Sequence, residues 1–133
     1  MLSSYKYLRM CLLVMPRNLT VTIYHNPRCS KSRETLKILE SQGIEPEIVD
    51  YLKDPPTEET LRKLVRLLGI APRELVRHNE PEFRQAGLDN QSCSDDDFIR
   101  ALARFPKLIE RPIVVNGSKA TLGRPPENVI KIL

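Results

Sequence analysis

Apolar residues along the chain either alternate with polar ones or recur at helical spacing, and the order of these patterns outlines the fold. Residues 20–24 are rich in β-branched and aromatic side chains and predict a strand. Residues 30–42 are mostly helix formers, and Gly43 supplies the expected helix stop. A second strand is predicted at about residues 45–52. The pattern therefore begins as a strand, a helix and a strand.

A second helix is predicted after a Pro-Pro pair. Thr57 precedes two glutamates, which is the arrangement of an N-cap followed by an acidic first turn. Gly69 ends the helix. Its buried face is predicted from apolar residues at helical spacing: Leu61, Leu64, Val65 and Leu68.

The next segment is predicted to be mostly helical. Residues 71–92 indicate short helical turns and loops, with residues 74–77 helical. Ser94 and Asp97 then resemble the two ends of a capping box, which marks the start of another helix. The apolar stripe of that helix is Phe98, Ile99, Leu102 and Phe105.

The C-terminal part of the chain carries a hairpin signal. Residues 113–115 and 120–122 predict two short strands, and the Asn116-Gly117 pair between them favours a tight turn. The two strands should therefore be antiparallel. A terminal helix is predicted to begin at residues 125–127, where proline suits the first turn.

The order of these elements predicts an α/β fold. The first strand, helix and strand form a crossover that makes the two strands parallel, and the hairpin adds antiparallel strands. We therefore expect a thioredoxin-like four-stranded mixed sheet with an inserted helical lobe. A length of 133 residues suits one domain, expected at residues 19–133. Residues 1–18 are expected to be an N-terminal extension, either disordered or produced by an upstream start codon.

Composition limits the classes of partner that the chain is expected to bind. The formal net charge of +4 fits a small anion as readily as nucleic acid, and the chain has few aromatic residues and no Trp. A single-strand nucleic-acid platform is thus poorly supported, and we expect no nucleic-acid partner. The short apolar segment Met10 to Met15 cannot span a bilayer, so no membrane association is expected.

Cysteine usage indicates a reducing compartment. The three cysteines, Cys11, Cys29 and Cys93, are an odd number without close spacing. They match neither a disulfide framework nor the paired ligands of a zinc site, so no metal is expected. The sequence therefore favours a cytoplasmic protein.

Cys29 is the best candidate for a reactive group. It lies between the first strand and the first helix, where unpaired backbone N–H groups and the helix dipole favour a thiolate. Cationic side chains surround it in the sequence: His25, Arg28, Lys31 and Arg33. The alternative is a buried structural thiol, but such a cysteine would have apolar neighbours. The sequence thus favours a nucleophilic cysteine with a lowered pKa.

At this point the sequence resembles the glutaredoxin-coupled arsenate reductases. The resemblance covers about residues 20–133. The motifs that carry it are Ile23 to Cys29, Tyr51-Leu52 followed by Pro55-Pro56, Leu75 to Arg77, Glu110 to Val115, and Gly123 to Pro126. None of these motifs is specific alone, but together they are.

The resemblance implies a reaction and a set of residues. It implies that Cys29 attacks arsenate and that Arg77, Arg111 and Arg124 bind the oxyanion. Glutathione as co-substrate and glutaredoxin as protein partner would supply the electrons, with no bound cofactor and a monomeric enzyme. Guanidinium groups suit this substrate because they grip oxyanions with forked, charge-assisted hydrogen bonds. The fold commonly places a cis-proline beside the active cysteine, and Arg111-Pro112 is the candidate.

Two residues near Cys29 are predicted to stabilise its thiolate. His25, four positions earlier, would add positive charge or a hydrogen bond. Ser32 occupies the second cysteine position of a Cys-x-x-Cys motif, so no internal disulfide can form at that spacing. Cys93 is interpreted as an incidental loop thiol and His78 as a surface residue.

Other interpretations stay open. From the sequence alone, each of the three arginines could be a surface residue in a weak ion pair. A Cys-x-x-Ser motif also suits a glutathione-dependent thiol oxidoreductase, which would reduce mixed disulfides without arsenate. A redox-sensing transcription regulator that binds RNA polymerase is a third possibility, but such sensors generally carry two cysteines in the motif, where this chain has Ser32.

Overall fold

The computed structural model describes residues 21–133, and their centre is a mixed sheet. The four strands are β1 (Val21–His25), β2 (Glu47–Asp50), β3 (Ile113–Asn116) and β4 (Lys119–Leu122), in the spatial order β2-β1-β3-β4. β1 is parallel to β2 and antiparallel to β3, and β3 is antiparallel to β4. The predicted four-stranded mixed sheet is confirmed. The predicted N-terminal extension at residues 1–18 lies outside the described residues.

Helices occupy the predicted places, with two differences in type. The α-helices are α1 (Ser30–Ser41), α2 (Glu58–Leu68), α3 (Pro81–Gln85) and α4 (Asp95–Arg104); 3₁₀ helices span Pro72–Leu75, Pro106–Leu108 and Pro126–Ile132. The terminal helix is thus a 3₁₀ helix. The prediction of a helix at residues 74–77 is wrong for Val76, which instead forms a β-bridge with Ile109, and for Arg77, which lies beyond the end of the 3₁₀ helix.

The predicted helix ends have the expected chemistry. The Thr57 side chain accepts a hydrogen bond from the Thr60 backbone N–H at 3.1 Å, and Gly69 ends α2 in the left-handed region at φ 68°. Ser94 and Asp97 cap α4 reciprocally through side-chain bonds of 3.2 and 2.8 Å to each other's backbone N–H. Local sequence signals therefore determined these boundaries.

Two apolar clusters cover the two faces of the sheet. α1 and the terminal 3₁₀ helix pack on one face, with the buried residues Val21, Ile23, Leu39, Val114 and Val129. The helical lobe packs on the other, with a larger cluster that includes Tyr51, Leu61, Leu75, Leu102, Leu108 and Ile113. Neighbouring positions of a strand point to opposite faces, which is why Ile113 and Val114 belong to different clusters.

A short backbone ladder ties the helical lobe to the segment that enters β3. Beside the Val76–Ile109 bridge, the Arg77 N–H donates to the Leu108 carbonyl and the Glu110 N–H donates to the Leu75 carbonyl, each at 2.7 Å. The ladder fixes where residues 110–112 approach the sheet. No helix within residues 21–133 is long and apolar enough to cross a membrane.

Candidate active site

Strand register brings three distant segments to one edge of the sheet. Tyr24 near the end of β1 pairs with Ile113 at the start of β3, and Ile113 pairs with Leu122 at the end of β4. The loop that carries Cys29, the segment that enters β3 and the segment that leaves β4 therefore meet. The predicted cis bond at Arg111-Pro112 is confirmed, and within the described chain Arg124-Pro125 is also cis, which was not predicted.

Cys29 is the N-cap of α1. Its backbone is extended (φ −94°, ψ 124°), its N–H donates to the Asn26 carbonyl at 3.0 Å, and its carbonyl accepts from the Arg33 N–H at 3.0 Å. Partial burial acts to raise the pKa of the Cys29 thiol, but backbone hydrogen bonds from Ser32 and Lys31 and the charges of two arginines outweigh it and lower the pKa. The structure thus favours a thiolate at this position.

The charges that act on the sulfur come from distant parts of the chain. Arg111 and Arg124 help to lower the pKa of Cys29, and Nη2 of Arg124 lies 4.0 Å from its Sγ. Cationic side chains close to Cys29 in the sequence were expected to have this role. That expectation is corrected, because Arg28 and Lys31 are exposed and the guanidinium of the exposed Arg33 contacts the loop backbone, donating to the Pro27 carbonyl at 3.0 Å.

His25 and Ser32 shape the loop beneath Cys29. Both are buried, and His25 Nδ1 lies 2.6 Å from Ser32 Oγ, which also accepts the Asn26 backbone N–H at 3.0 Å. Burial lowers the pKa of His25 more than the nearby Asp50 raises it. Of the two contributions expected of His25, a positive charge or a hydrogen bond, the lowered pKa disfavours the charge, and the imidazole lies within hydrogen-bond distance of Ser32. Ser32 reaches the sulfur through its backbone N–H.

Glu110 holds Arg111 and Arg124 together. Its Oε1 lies 3.0 Å from Nη1 of Arg111 and 3.3 Å from Nε of Arg124. Nε of Arg124 also donates to the Arg111 carbonyl at 2.8 Å. Among the residues described, the buried Nε of Arg111 has no hydrogen-bond partner. An unpaired charged donor is costly when buried, so a hydrogen-bond partner such as a bound anion would stabilise this atom.

Arg77 is paired with an acidic neighbour and acts on Tyr51 of the site. Its Nη2 pairs with Glu80 at 2.9 Å, and within residues 21–133 the structure shows no hydrogen bond between Arg77 and Cys29. Its charge reaches the buried Tyr51. Burial raises the pKa of Tyr51, while the charges of Arg111 and Arg77 and a hydrogen bond from Asn26 oppose the rise. Tyr51 is thus affected by the charges of Arg77, Arg111 and Cys29.

Sequence reasoning gave no role to three residues of this site: Asn26, Tyr51 and Glu110. A local sequence signal existed for Asn26, because an Asn that follows a strand favours a turn. In that turn its Oδ1 accepts the Arg28 N–H at 3.0 Å. Glu110 belongs to a motif of the family resemblance but received no role, since an acidic residue beside an arginine is common on any surface. Its role follows only from the contact between Arg111 and Arg124.

The remaining titratable candidates lie elsewhere. Sγ of Cys93 lies 3.3 Å from the Gly87 carbonyl beside a groove of about 760 Å³ in the helical lobe. His78 is exposed and its ring lies 4.6 Å from that of Phe83. Within residues 21–133 no cluster of His, Cys, Asp and Glu side chains is arranged to hold a metal ion.

The sequence model of the ArsC family matches residues 24–132, which include Cys29 and all three arginines. The chain belongs to the ArsC family. It is 51% identical to the Escherichia coli K12 protein YfgD, named uncharacterized, over 85% of this chain and 96% of that one. It is 45% identical to a Haemophilus influenzae protein named arsenate reductase, over 86% of this chain and all of the relative.

Solved structures agree with this assignment to the ArsC family. A structure named arsenate reductase from Vibrio cholerae superposes with a TM-score of 0.84 at 48% identity and covers 86% of this chain and 98% of its own. The ArsC fold of this chain is therefore shared over nearly the whole length of that relative.

The lowered pKa of Cys29 predicts a pH profile. Only the thiolate is alkylated, so the rate should rise with pH through the folded-state pKa and reach its plateau at a lower pH than for an ordinary thiol. The measurement is iodoacetamide modification of a Cys11→Ser/Cys93→Ser variant, in which Cys29 is the remaining thiol of the sequence. The urea-unfolded protein is the control. A folded profile that coincides with the unfolded one would contradict the lowered pKa.

Proposed function

We propose that this protein reduces arsenate to arsenite, with Cys29 as the nucleophile. The observation that carries the proposal is a thiol of lowered pKa beside Arg111 and Arg124, with a buried guanidinium N–H of Arg111 unpaired among the described residues. Such a site suits an electrophile that is itself an anion. The relatives named arsenate reductase support arsenate as that electrophile.

The proposed reaction begins at the sulfur. The Cys29 thiolate attacks arsenic(V), a sulfur–arsenic bond forms, and one arsenate oxygen leaves as water after protonation. Arg111 and Arg124 bind the remaining oxygens and offset the repulsion between the thiolate and the anion. Arg77 is assigned to the same oxyanion, which requires it to reach beyond its pair with Glu80.

Glutathione completes the reduction in this mechanism. Its thiolate attacks the Cys29 sulfur, and the electron pair of the sulfur–arsenic bond passes to arsenic, which leaves as arsenite. The product is a Cys29–glutathione disulfide, and glutaredoxin returns Cys29 to the thiol. Glutathione is thus a co-substrate, and no bound cofactor or metal is needed. We propose a monomer that acts in the cytoplasm, where glutathione keeps thiols reduced.

The test is arsenite production by the purified protein. Arsenate, glutathione, glutaredoxin and a recycling system for oxidised glutathione are supplied together and then with one component omitted at a time. We expect no arsenite without arsenate or glutathione. Without glutaredoxin we expect a first turnover and then slow formation of arsenite, because Cys29 stays in the disulfide with glutathione. A folded protein with a reactive Cys29 that forms no arsenite in the complete mixture would overturn the proposal.

A thiol oxidoreductase is the second candidate. The lowered pKa of Cys29 at a helix N-terminus suits attack on a disulfide as well as on arsenate. The same preparation is tested for reduction of a glutathionylated peptide without arsenate. The redox-sensor alternative is less favoured, because the buried Ser32 stands where a second motif cysteine would be needed.

Arg111→Lys should weaken arsenate reduction. The substitution keeps the positive charge but removes the planar fork and the buried Nε donor. Loss of a charge-assisted hydrogen bond lowers kcat/KM by about 10- to 100-fold. The assay is steady-state arsenite production, with Arg66→Lys on the exposed surface of α2 as the matched control. Unchanged kinetics in Arg111→Lys would remove Arg111 from the anion site.

A further inference from the structure

One carboxylate lies inside a site that is otherwise built for anions. Glu110 is next to Arg111 in the chain, and its Oε1 contacts Arg111 Nη1 at 3.0 Å and Arg124 Nε at 3.3 Å. A negative charge in this place competes with a bound oxyanion, so charge alone gives no reason for it to improve binding. Its contacts with both guanidinium groups indicate a different role.

The backbone of Glu110 is fixed independently of the arginines. Its N–H donates to the Leu75 carbonyl at 2.7 Å, in the ladder beside the Val76–Ile109 bridge. Its side chain is three-quarters buried, and that of Arg111 is 14% exposed. A carboxylate anchored to the helical lobe therefore reaches two guanidinium groups that arrive from the segments flanking the β3–β4 hairpin.

The contacts of Glu110 determine which donors stay available. They use Nη1 of Arg111 and Nε of Arg124, and the latter is also bonded to the Arg111 carbonyl at 2.8 Å. Nη2 of Arg124 is left 4.0 Å from Sγ of Cys29, and the buried Nε of Arg111 is left unpaired within the described chain. Side chains as long as arginine have many rotamers, so a shared anchor removes much of their freedom.

We propose that Glu110 is a positioning residue, which holds Arg111 and Arg124 so that their remaining N–H groups face Cys29 and the oxyanion. The substrate part of this inference rests on the proposed function, whereas the effect on the thiol does not. Two possible roles for the carboxylate predict opposite changes in the pKa of Cys29 when Glu110 is replaced. If Glu110 positions the arginines, its loss lets their charges move away from the sulfur and the pKa of Cys29 rises. If it only neutralises charge, its loss lowers that pKa further.

The experiment compares Glu110→Ala, Glu110→Gln and the control Glu34→Gln in the Cys11→Ser/Cys93→Ser background. Glu34 is an exposed acidic residue of α1, so its variant matches the change in net charge. The pH midpoint of iodoacetamide alkylation should rise by about half a unit or more in Glu110→Ala. It should rise less in Glu110→Gln, whose amide oxygen still accepts hydrogen bonds, and stay unchanged in Glu34→Gln. A fall or no change in Glu110→Ala would overturn the proposal.

Arsenate kinetics give a second readout. Glu110→Ala should raise the KM for arsenate by about 10-fold, with partial recovery in Glu110→Gln, because disordered guanidinium groups must be ordered by the substrate. Melting curves establish whether each variant folds. If Glu110→Ala does not fold, Glu110→Gln replaces it in the test, and its alkylation midpoint and its KM for arsenate are both expected to rise. A wild type that forms no arsenite overturns the proposed function, while the alkylation midpoints still decide the role of Glu110.

Discussion

The Cys29→Ser variant should fold like the wild type and form no arsenite. Serine is a preferred N-cap residue. The Cys29 N–H donates to the Asn26 carbonyl and the Cys29 carbonyl accepts from the Arg33 N–H, and neither hydrogen bond uses the sulfur. We expect the free energy of unfolding to stay within about 1 kcal/mol of the wild type. The serine hydroxyl is not ionised near neutral pH, so the rate should fall by at least about 10³-fold, as when a covalent nucleophile is removed.

The matched control is Cys93→Ser. Serine keeps a donor for the Gly87 carbonyl, which lies 3.3 Å from Sγ in the wild type, and Cys93 belongs to the helical lobe. Arsenite formation should stay at the wild-type rate. Stopped-time arsenite assays and urea unfolding of both variants make the comparison. Residual turnover in Cys29→Ser near the wild-type rate would exclude Cys29 as the nucleophile.

The position of Cys29 could be predicted from the sequence because its determinants are local. A β-branched strand, a polar turn and a run of helix formers are adjacent in the chain, and together they place the cysteine at a helix N-terminus. The hairpin and the cap at Ser94 could be predicted for the same reason, although Asn116 pairs with Lys119 and the two turn residues are Gly117 and Ser118. Residues close in sequence determine each of these features.

The electrostatics of the site could not be derived in this way. Arg111 and Arg124 lie far along the chain from Cys29, and only the register of three strands brings them together. Their choice as candidates depended on the family resemblance, and Glu110 was part of one of its motifs without a predicted role. The neutral state of His25 could be expected from the sequence. Val21, Ile23 and His25 are every second residue of β1 and share its buried face, and burial lowers the pKa of a histidine.

Gly123 is the residue whose substitution should disturb the packing of the site most. Gly123 lies where the segment after β4 crosses α1 and Pro112, and there is no room for a side chain at this crossing. A Cβ at this position would collide with Oγ1 of the buried Thr35 and lie 2.8 Å from Cγ of Pro112. Neither neighbour can move freely, because the Thr35 hydroxyl donates to the Lys31 carbonyl at 2.8 Å and the Gly123 N–H donates to the Pro112 carbonyl at 2.9 Å.

Gly123→Ala should therefore lower both stability and activity. We expect the free energy of unfolding to fall by about 1–3 kcal/mol, as for overpacked cores. Arg124 follows directly in the chain, and a displacement of about 1 Å relative to Cys29 would cost up to about 100-fold in kcat/KM.

Urea unfolding and arsenite kinetics test this expectation, with two further variants. Gly43→Ala is the control at the other end of α1: its backbone is left-handed at φ 77° with nothing near the added Cβ, so it should cost about 1 kcal/mol and leave kcat/KM unchanged. Thr35→Ala removes both Thr35 atoms that the new methyl group would meet. The double variant Gly123→Ala/Thr35→Ala should then be more stable than the sum of the two single effects predicts. Additive losses would mean that the collision with Thr35 is not the cause, and the close approach of Gly123 to α1 would not be what holds Arg124 beside the thiol.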